Sequence, residues 1–218
     1  MSSLPNKGAQ SYFDRVPSQW DSFYSNEGTV RYFLNRIFRK GLYRRYQLTF
    51  EHCGDLSGAS VLDIGCGTGR YSIECAKRGA RKVVGVDFAP QMIEFSKNIA
   101  ADMGIGTRCE FLHADFLEHR FEGTFDVILA LGVFDYISDP SAMLGKIASM
   151  RPGKFIASFP QFTPFWGLQR HVRYNLIKKC PIYYYTSEQL NALYRAAPFA
   201  RWSIIPCGRG FVGVGGDS

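Results

Sequence analysis

The chain has 218 residues, of which 46% are hydrophobic and 21% are charged, and its formal net charge is +7. This length suits a single domain with one core, and no apolar run approaches the roughly 20 residues needed to span a bilayer. The opening stretch from Met1 to Lys7 lacks the apolar core of a secretory signal, which predicts a cytoplasmic protein. The six cysteines form no C-x-x-C pair, so we expect reduced, mostly buried thiols and no metal site.

The positive charge is concentrated in two segments that contain no acidic residue. Segments of this kind could attract an anionic ligand, a nucleic acid or an anionic lipid surface. The first segment contains Arg31, Arg36, Arg39, Lys40, Arg44 and Arg45, and the second contains Arg170, Arg173, Lys178 and Lys179.

The predicted elements begin with an arm over residues 1–28 and an approximately helical, basic and aromatic stretch over 29–51. We therefore divide the chain into an extension, 1–51, and one folded domain, 52–218. From Ala59 onward short apolar strands alternate with helices. Strands are predicted at 59–63, 82–87, 109–113, 125–131, 154–159, 202–206 and 210–214, with helices at 71–78, 90–103, about 140–151 and 187–197.

This alternation predicts an α/β fold with a Rossmann-like, doubly wound and mostly parallel seven-stranded sheet, preceded by an N-terminal helical extension. Ligands of such sheets bind beyond the carboxyl ends of the strands. The segments that follow Asp63, Asp87, His113 and Leu131 are therefore the candidate binding region.

A glycine-rich turn, Gly65-Cys66-Gly67-Thr68-Gly69, follows the first predicted strand and opens a helix. Glycines there allow a tight turn and a close approach of the backbone to a ligand. Asp87, about 20 residues further on, could accept hydrogen bonds from both hydroxyls of a ribose. A turn with a purely structural role is the alternative reading of the glycines.

The ligand of this turn is expected to be a nucleoside without phosphate. The spacing is G-x-G-x-G and not the G-x-G-x-x-G of dinucleotide-binding folds, which argues against a nicotinamide oxidoreductase. The carboxylate of Asp63, two residues before Gly65, would repel a pyrophosphate and would suit a cationic, amino-acid-like tail. S-adenosylmethionine fits that description.

Four segments in order resemble those of class I S-adenosylmethionine-dependent methyltransferases, over residues 59–160. The glycine turn with its strand, 61–69, resembles their first motif, and 85–93 resembles their second cofactor segment. Residues 113–116 are similar to the adenine-contacting segment, and 125–131 to the fourth strand. The arm from Tyr12 to Trp20 is loosely similar to enzymes that methylate quinone precursors and magnesium protoporphyrin.

The resemblance implies a role for each cofactor residue. Asp63 would meet the methionine end and Asp87 the ribose, while Asp115 would accept from the adenine amino group; a cap of a short turn is the alternative for Asp115. The remaining residues implied around the cofactor are Gly65, Cys66, Gly67, Phe88, Met92, Ala114, Phe116, Leu131 and Gly132.

Methyl transfer needs a nucleophile placed in line with the sulfonium methyl, and a base only when that nucleophile arrives protonated. Asp135 and Tyr136, after the fourth strand, are the first candidates on the acceptor side. His171 and Tyr24 are the others, since the segments that carry them could cover the site. No metal is expected to take part.

The acceptor is expected to be a small apolar or anionic molecule, methylated on oxygen or carbon. Aromatic residues between Phe162 and Tyr185 could line an apolar pocket, and the basic helices could make peripheral contact with a membrane; packing on the core with a solvated basic face is the alternative. A nucleic-acid methyltransferase that uses the basic flanks, or an aminopropyltransferase on the same fold, stays open, although no nucleic-acid-binding module is visible.

Overall fold

The computed structural model describes residues 40–164 and 180–217. Strands and helices alternate along most of this length, and a 3₁₀ turn at Phe134–Tyr136 follows the fourth strand. The helices are α1 Lys40–Cys53, α2 Arg70–Lys77, α3 Pro90–Asp102, α4 Ser141–Ser149 and α5 Ser187–Ala196. The strands are β1 Ser60–Ile64, β2 Lys82–Asp87, β3 Cys109–His113, β4 Val127–Ala130, β5 Lys154–Pro160, β6 Arg201–Pro206 and β7 Gly210–Gly216.

The strands form one seven-stranded sheet in the order β3-β2-β1-β4-β5-β7-β6. The central strand β1 pairs in parallel with β2 on one side and with β4 on the other. Strand β7 enters antiparallel between β5 and β6. The prediction of a mostly parallel, Rossmann-like seven-stranded sheet is therefore confirmed, and the carboxyl ends of β1 to β5 share one edge.

Both faces of the sheet are covered, which explains why its central strands are continuous apolar runs. Successive side chains of a strand point to opposite faces. Val127 and Leu129 of β4 accordingly pack in a core with α1, α2 and α3, while Ile128 and Ala130 pack in a second core with α4 and α5. A ligand of this sheet is consequently restricted to the strand ends.

Helix α1 passes through residue 51, the end of the predicted extension. Its residues Leu48, Phe50 and Cys53 are at most 5% exposed and belong to the core shared with the sheet. At its other end, the Gly41 carbonyl lies 3.8 Å from the Cys207 thiol, between β6 and β7. The helix thus packs along its length on the sheet, in contact with β5 and β7.

Helix α5 begins at the predicted cap. The Thr186 hydroxyl accepts the N–H of Gln189, and the Gln189 side chain accepts the N–H of Thr186, which is a complete capping box.

The six cysteines are free thiols and all are buried. Within residues 40–164 and 180–217, no helix is both long and apolar enough to cross a membrane.

The phenol of Tyr194 in α5 is fully buried, and its oxygen has no hydrogen-bond partner among the described residues. A buried polar group without a partner carries its desolvation cost uncompensated, so Tyr194→Phe is expected to raise the free energy of unfolding by about 1 kcal/mol. Urea unfolding measures this change. The matched variant is Tyr185→Phe, which removes a hydroxyl that donates to the Ile137 carbonyl at 2.6 Å and should lower stability by about 1 kcal/mol. A lower stability of Tyr194→Phe would contradict the conclusion that the buried Tyr194 hydroxyl destabilises the fold.

Candidate active site

The glycine turn joins β1 to α2 and contacts the segment that follows β4. Gly65 and Gly67 adopt the left-handed conformation, with φ of 66° and 54°, which favours glycine. A Cβ on Gly65 would lie 3.0 Å from a methyl carbon of Val133. The turn therefore lies against the exit of β4, and any side chain at residue 65 would have to displace Val133.

The carboxylate of Asp63 binds polar groups in the first turn of α2. Its Oδ2 accepts the Ser72 hydroxyl at 2.6 Å and the Ser72 backbone N–H at 3.1 Å, and the residue is 2% exposed. Free N–H groups at a helix N-terminus attract anions. Here a buried side-chain carboxylate already takes that place.

Burial raises the pKa of the Asp63 carboxyl to about 7, and the charge of Asp87 adds to the shift, while the two Ser72 hydrogen bonds oppose it. A carboxyl whose pKa is raised on folding stabilises the native state below its unfolded pKa of 3.8 and loses that contribution as pH rises through 7. Relative to Asp63→Asn, the parent chain is expected to lose about 2 kcal/mol of unfolding free energy between pH 5 and pH 8. Urea unfolding of both proteins at the two pH values tests this, and parallel pH profiles would contradict it.

Asp87, the last residue of β2, connects the glycine turn to α3. Its Oδ2 accepts the Gly67 N–H and its Oδ1 accepts the Ala89 N–H, both at 2.9 Å. The residue is 8% exposed, and this burial raises the pKa of its carboxyl. Asp63 and Asp87 thus bring two acidic groups to the base of one turn, where a cation is favoured over a phosphate.

The segment after β3 lies next to Asp87. The Ala114 N–H donates to the Asp87 carbonyl at 3.0 Å, and Oδ1 of Asp115 accepts the Leu117 N–H at 2.7 Å. Asp115 therefore does begin a short turn, and the other lone pairs of its carboxylate can still accept from a ligand. The Phe116 ring is 5% exposed and packs 5.7 Å from the Phe121 ring.

A family model described as "Methyltransferase domain" matches residues 55–176. The match covers more than half of the chain and contains the glycine turn, both acids and the exit of β4. The chain belongs to the methyltransferase-domain family. The resemblance seen in the sequence is thereby confirmed.

Curated and solved relatives agree with this family. The ubiquinone biosynthesis O-methyltransferase of Xanthomonas euvesicatoria is 30% identical over 100 residues, 45% of this chain and 41% of that protein. The malonyl-[acyl-carrier protein] O-methyltransferase of Halalkalibacterium halodurans is 29% identical over 154 residues, 67% and 55% of the two chains. Magnesium protoporphyrin IX methyltransferase from Synechocystis, solved with bound S-adenosylhomocysteine, shares the fold with a TM-score of 0.71 at 22% identity, covering 94% of this chain and 95% of that one. The chain spans about half the length of the curated relatives it matches.

At the exit of β4, helix α1 places next to the methyltransferase domain a guanidinium that the sequence analysis did not single out. The Gly132 N–H donates to the Ser158 hydroxyl oxygen at 2.9 Å, and Nη1 of Arg45 donates to the same oxygen at 3.4 Å. Nη1 also lies 3.7 Å from the position of a Cβ on Gly132. Helix α1 thus places the Arg45 charge beside Leu131 and Gly132, one residue from the Val133 side chain that contacts the glycine turn.

The acceptor-side candidates of the methyltransferase domain, Asp135 and Tyr136, lie in the 3₁₀ turn and are 8% and 9% exposed. Tyr136 packs with residues from distant parts of the chain in a small apolar cluster at the carboxyl edge of the sheet, which we name the edge cluster. Its members are Phe88, Tyr136, Cys180, Ile182 and Tyr184.

Residues 180–186, which contribute three members of the edge cluster, are hydrogen-bonded to the 3₁₀ turn and to the residue that follows it. The Tyr183 N–H donates to the Asp135 carbonyl at 2.9 Å, and the Tyr185 hydroxyl donates to the Ile137 carbonyl at 2.6 Å. The half-exposed ring of Phe162 meets Tyr184 edge to face at 5.3 Å. Apolar side chains therefore line the carboxyl edge of the sheet from Phe88, after β2, to Phe162, after β5.

The other predicted site residues have different surroundings. The Cys66 sulfur lies 3.0 Å from the Cβ position of Gly85 on β2, so the thiol points into the core, where burial raises its pKa. Met92, in the first turn of α3, is 2% exposed. His113 bonds through Nε2 to the Phe88 carbonyl at 3.1 Å. His171 and Tyr24 lie outside the described residues. Within the described part of the chain, no cluster of three or more His, Cys, Asp or Glu could hold a metal ion.

Proposed function

We propose that this protein transfers a methyl group from S-adenosylmethionine to an oxygen or carbon of a small apolar or anionic acceptor. The observation that carries the proposal is the pair of carboxylates under the glycine turn. Both bind backbone N–H groups that a dinucleotide-binding fold would offer to a pyrophosphate. With those N–H groups occupied, the turn favours a phosphate-free nucleoside with a cationic tail.

The residues around the turn fit the parts of such a cofactor. Asp87 can accept from the ribose hydroxyls with the lone pairs that the Gly67 and Ala89 N–H groups leave free. Asp115 can accept from an adenine amino group, and Phe88, a member of the edge cluster, can pack against the adenine ring. Bound S-adenosylmethionine supplies an electrophilic methyl group on its sulfonium.

Arg45 is suited to the α-carboxylate of the cofactor. An amino-acid tail carries a carboxylate as well as an ammonium group, and a guanidinium binds carboxylates through paired hydrogen bonds. Nη1 of Arg45 lies beside both Gly132 and Ser158, close to the contact of Val133 with the glycine turn. We therefore assign to Arg45 the carboxylate end of the tail and to Asp63, whose carboxyl ionises as the pH rises through about 7, the cationic groups.

For the acceptor we propose the space bordered by the edge cluster. Its aromatic and aliphatic side chains would exclude water from the reacting atoms, and an in-line displacement gains most of its rate from such positioning. Tyr136 and Asp135 are the proposed acceptor-side residues, because both lie on the 3₁₀ turn that follows the exit of β4. The arm and the basic helical stretch, residues 1–51, are proposed to act together with this domain and not as a separate unit.

Calorimetric titration with S-adenosylhomocysteine tests the cofactor assignment directly. Methyl transfer from labelled S-adenosylmethionine to a panel of phenols, carboxylic acids, a porphyrin and RNA then tests the acceptor class. An apolar or anionic small molecule as the acceptor would support the proposal, whereas absence of nucleoside binding or methylation of RNA alone would refute it. Tyr136→Phe should keep the cofactor affinity and lower turnover; unchanged turnover would remove Tyr136 from the site.

We further propose peripheral membrane contact through the beginning of α1. Leu42 and Tyr43 are 36% and 66% exposed there, and the neighbouring Arg44 is exposed. An aromatic and basic helix face of this kind binds the interface of an anionic bilayer. Co-sedimentation with vesicles that contain phosphatidylserine should fall for Tyr43→Ser, and equal co-sedimentation of both proteins would refute the contact.

A further inference from the structure

The ammonium of Lys146 is enclosed by backbone carbonyls of a different segment. From α4, its Nζ donates to the carbonyls of Phe116 at 2.5 Å, Leu117 at 2.9 Å and His119 at 2.6 Å. These three bonds use all the N–H donors of an ammonium group. The ring of Phe116 lies 4.9 Å from Nζ and that of Phe121 lies 5.7 Å away, which adds two cation–π contacts.

The three carbonyls belong to the short turn that begins at Asp115. The Asp115 carboxylate accepts the Leu117 N–H at 2.7 Å, and the Asp115 carbonyl accepts the His119 N–H at 2.9 Å. A single helical turn leaves its last carbonyls without partners inside the turn. Asp115 therefore satisfies the beginning of this turn, and Lys146 satisfies its end.

Lys146 is also close enough to Asp115 for the two charges to interact. Burial lowers the pKa of Lys146, and the carboxylates of Asp115 and Glu118 oppose that change. The same turn is joined to β2 by the bond from the Ala114 N–H to the Asp87 carbonyl, 3.0 Å. The position of Asp115 is consequently fixed by Asp87 on one side and by Lys146 on the other.

We propose that Lys146 is a positioning residue that holds Asp115 where it can select adenine over a base that lacks the 6-amino group. The inference rests on the proposed function, in which Asp115 accepts from that amino group. A carboxylate in this position favours an amino donor and repels the 6-carbonyl oxygen of hypoxanthine. Loss of the Lys146 ammonium frees the turn, so the selection should weaken together with the affinity.

The test compares the affinities of S-adenosylhomocysteine and S-inosylhomocysteine for three proteins by calorimetry. Lys146→Met is expected to weaken the binding of S-adenosylhomocysteine about tenfold, since the turn that follows Asp115 loses its three hydrogen bonds from a charged ammonium group. The variant should also bring the affinities for the two ligands closer together. Lys154→Met is the matched control: its Nζ donates to the Cys53 carbonyl at 2.8 Å, at the amino end of β5 on the opposite edge of the sheet. It should keep both affinities.

The ratio of the two affinities does not depend on the fraction of folded protein, so partial unfolding of Lys146→Met leaves the test valid. An unchanged ratio in Lys146→Met, with a parent that prefers adenine, would overturn the inference and leave the proposed function standing. A parent that binds neither ligand would overturn the proposed function itself. In an Asp115→Ala background, Lys146→Met should cause no further change in the ratio, and a further tenfold change would show that Lys146 acts through another group.

Discussion

Replacement of Asp87 by alanine is expected to weaken the binding of S-adenosylhomocysteine at least about 100-fold, because the variant cannot make the two charge-assisted hydrogen bonds that we propose between Asp87 and the ribose. The same carboxylate holds the N–H groups of Gly67 and Ala89, so the glycine turn loses its support at the same time. Isothermal calorimetry with the parent and the variant measures the effect.

Asp126→Ala is the control for this experiment. Asp126 resembles Asp87 in that its carboxylate accepts a backbone N–H, that of Ser60 at 2.7 Å, but it lies at the amino edge of the sheet. It should lower stability and leave the affinity for the nucleoside intact. Equal affinities of the parent and Asp87→Ala would exclude Asp87 from the cofactor site, and equal losses in both variants would indicate that the effect is one of folding.

Replacement of Arg45 by methionine should lower the affinity for S-adenosylhomocysteine by about 10- to 100-fold, the range expected for a charge-assisted pair with a carboxylate. The affinity for 5′-methylthioadenosine, which has the nucleoside but no amino-acid tail, should change little. Competition of the two ligands against a fluorescent nucleoside gives both numbers in one assay.

Arg44→Met provides the control for Arg45, since Arg44 is its neighbour on α1 and its side chain is exposed. It should bind both ligands as the parent does. If Arg45→Met weakens the two ligands equally, the guanidinium acts through Ser158 and Gly132 on the shape of the site, and the assignment to the carboxylate is wrong.

The parts of the fold that were predictable from sequence are those set by local patterns. Lys82–Asp87 and Cys109–His113 have the predicted limits, because each is a short strand with apolar residues bounded by turn residues. The capping pattern of Thr186 and Gln189 fixed the start of α5 equally well. The prediction for β4 was too long at both ends, 125–131 against Val127–Ala130, since Phe125 and Leu131 are buried outside the strand and an apolar run does not mark where pairing stops.

The parts of the site that sequence reasoning missed depend on contacts across the fold. In the sequence, Arg45 is only one of six basic residues in the first basic segment. Nothing near it in sequence points to Ser158, 113 positions away. Lys146 is likewise an ordinary helix lysine until the sheet order brings α4 to the turn after Asp115. The glycine turn and its acids were recognisable because their chemistry requires a fixed local spacing; a single long side chain that reaches in from another element leaves no such spacing.

The order of the strands also has a consequence for how this chain folds. Strands β1, β2 and β3 are consecutive in sequence and neighbours in the sheet, so this half can assemble through short-range crossovers. Strand β4 joins the other side of β1 only when residues 61 and 127 meet, and such a distant closure costs chain entropy before pairing compensates for it. We therefore expect a refolding nucleus in residues 60–113, with docking of β4 as the slow step. The half of the site that carries Asp63 and Asp87 would then form before the half that carries Gly132.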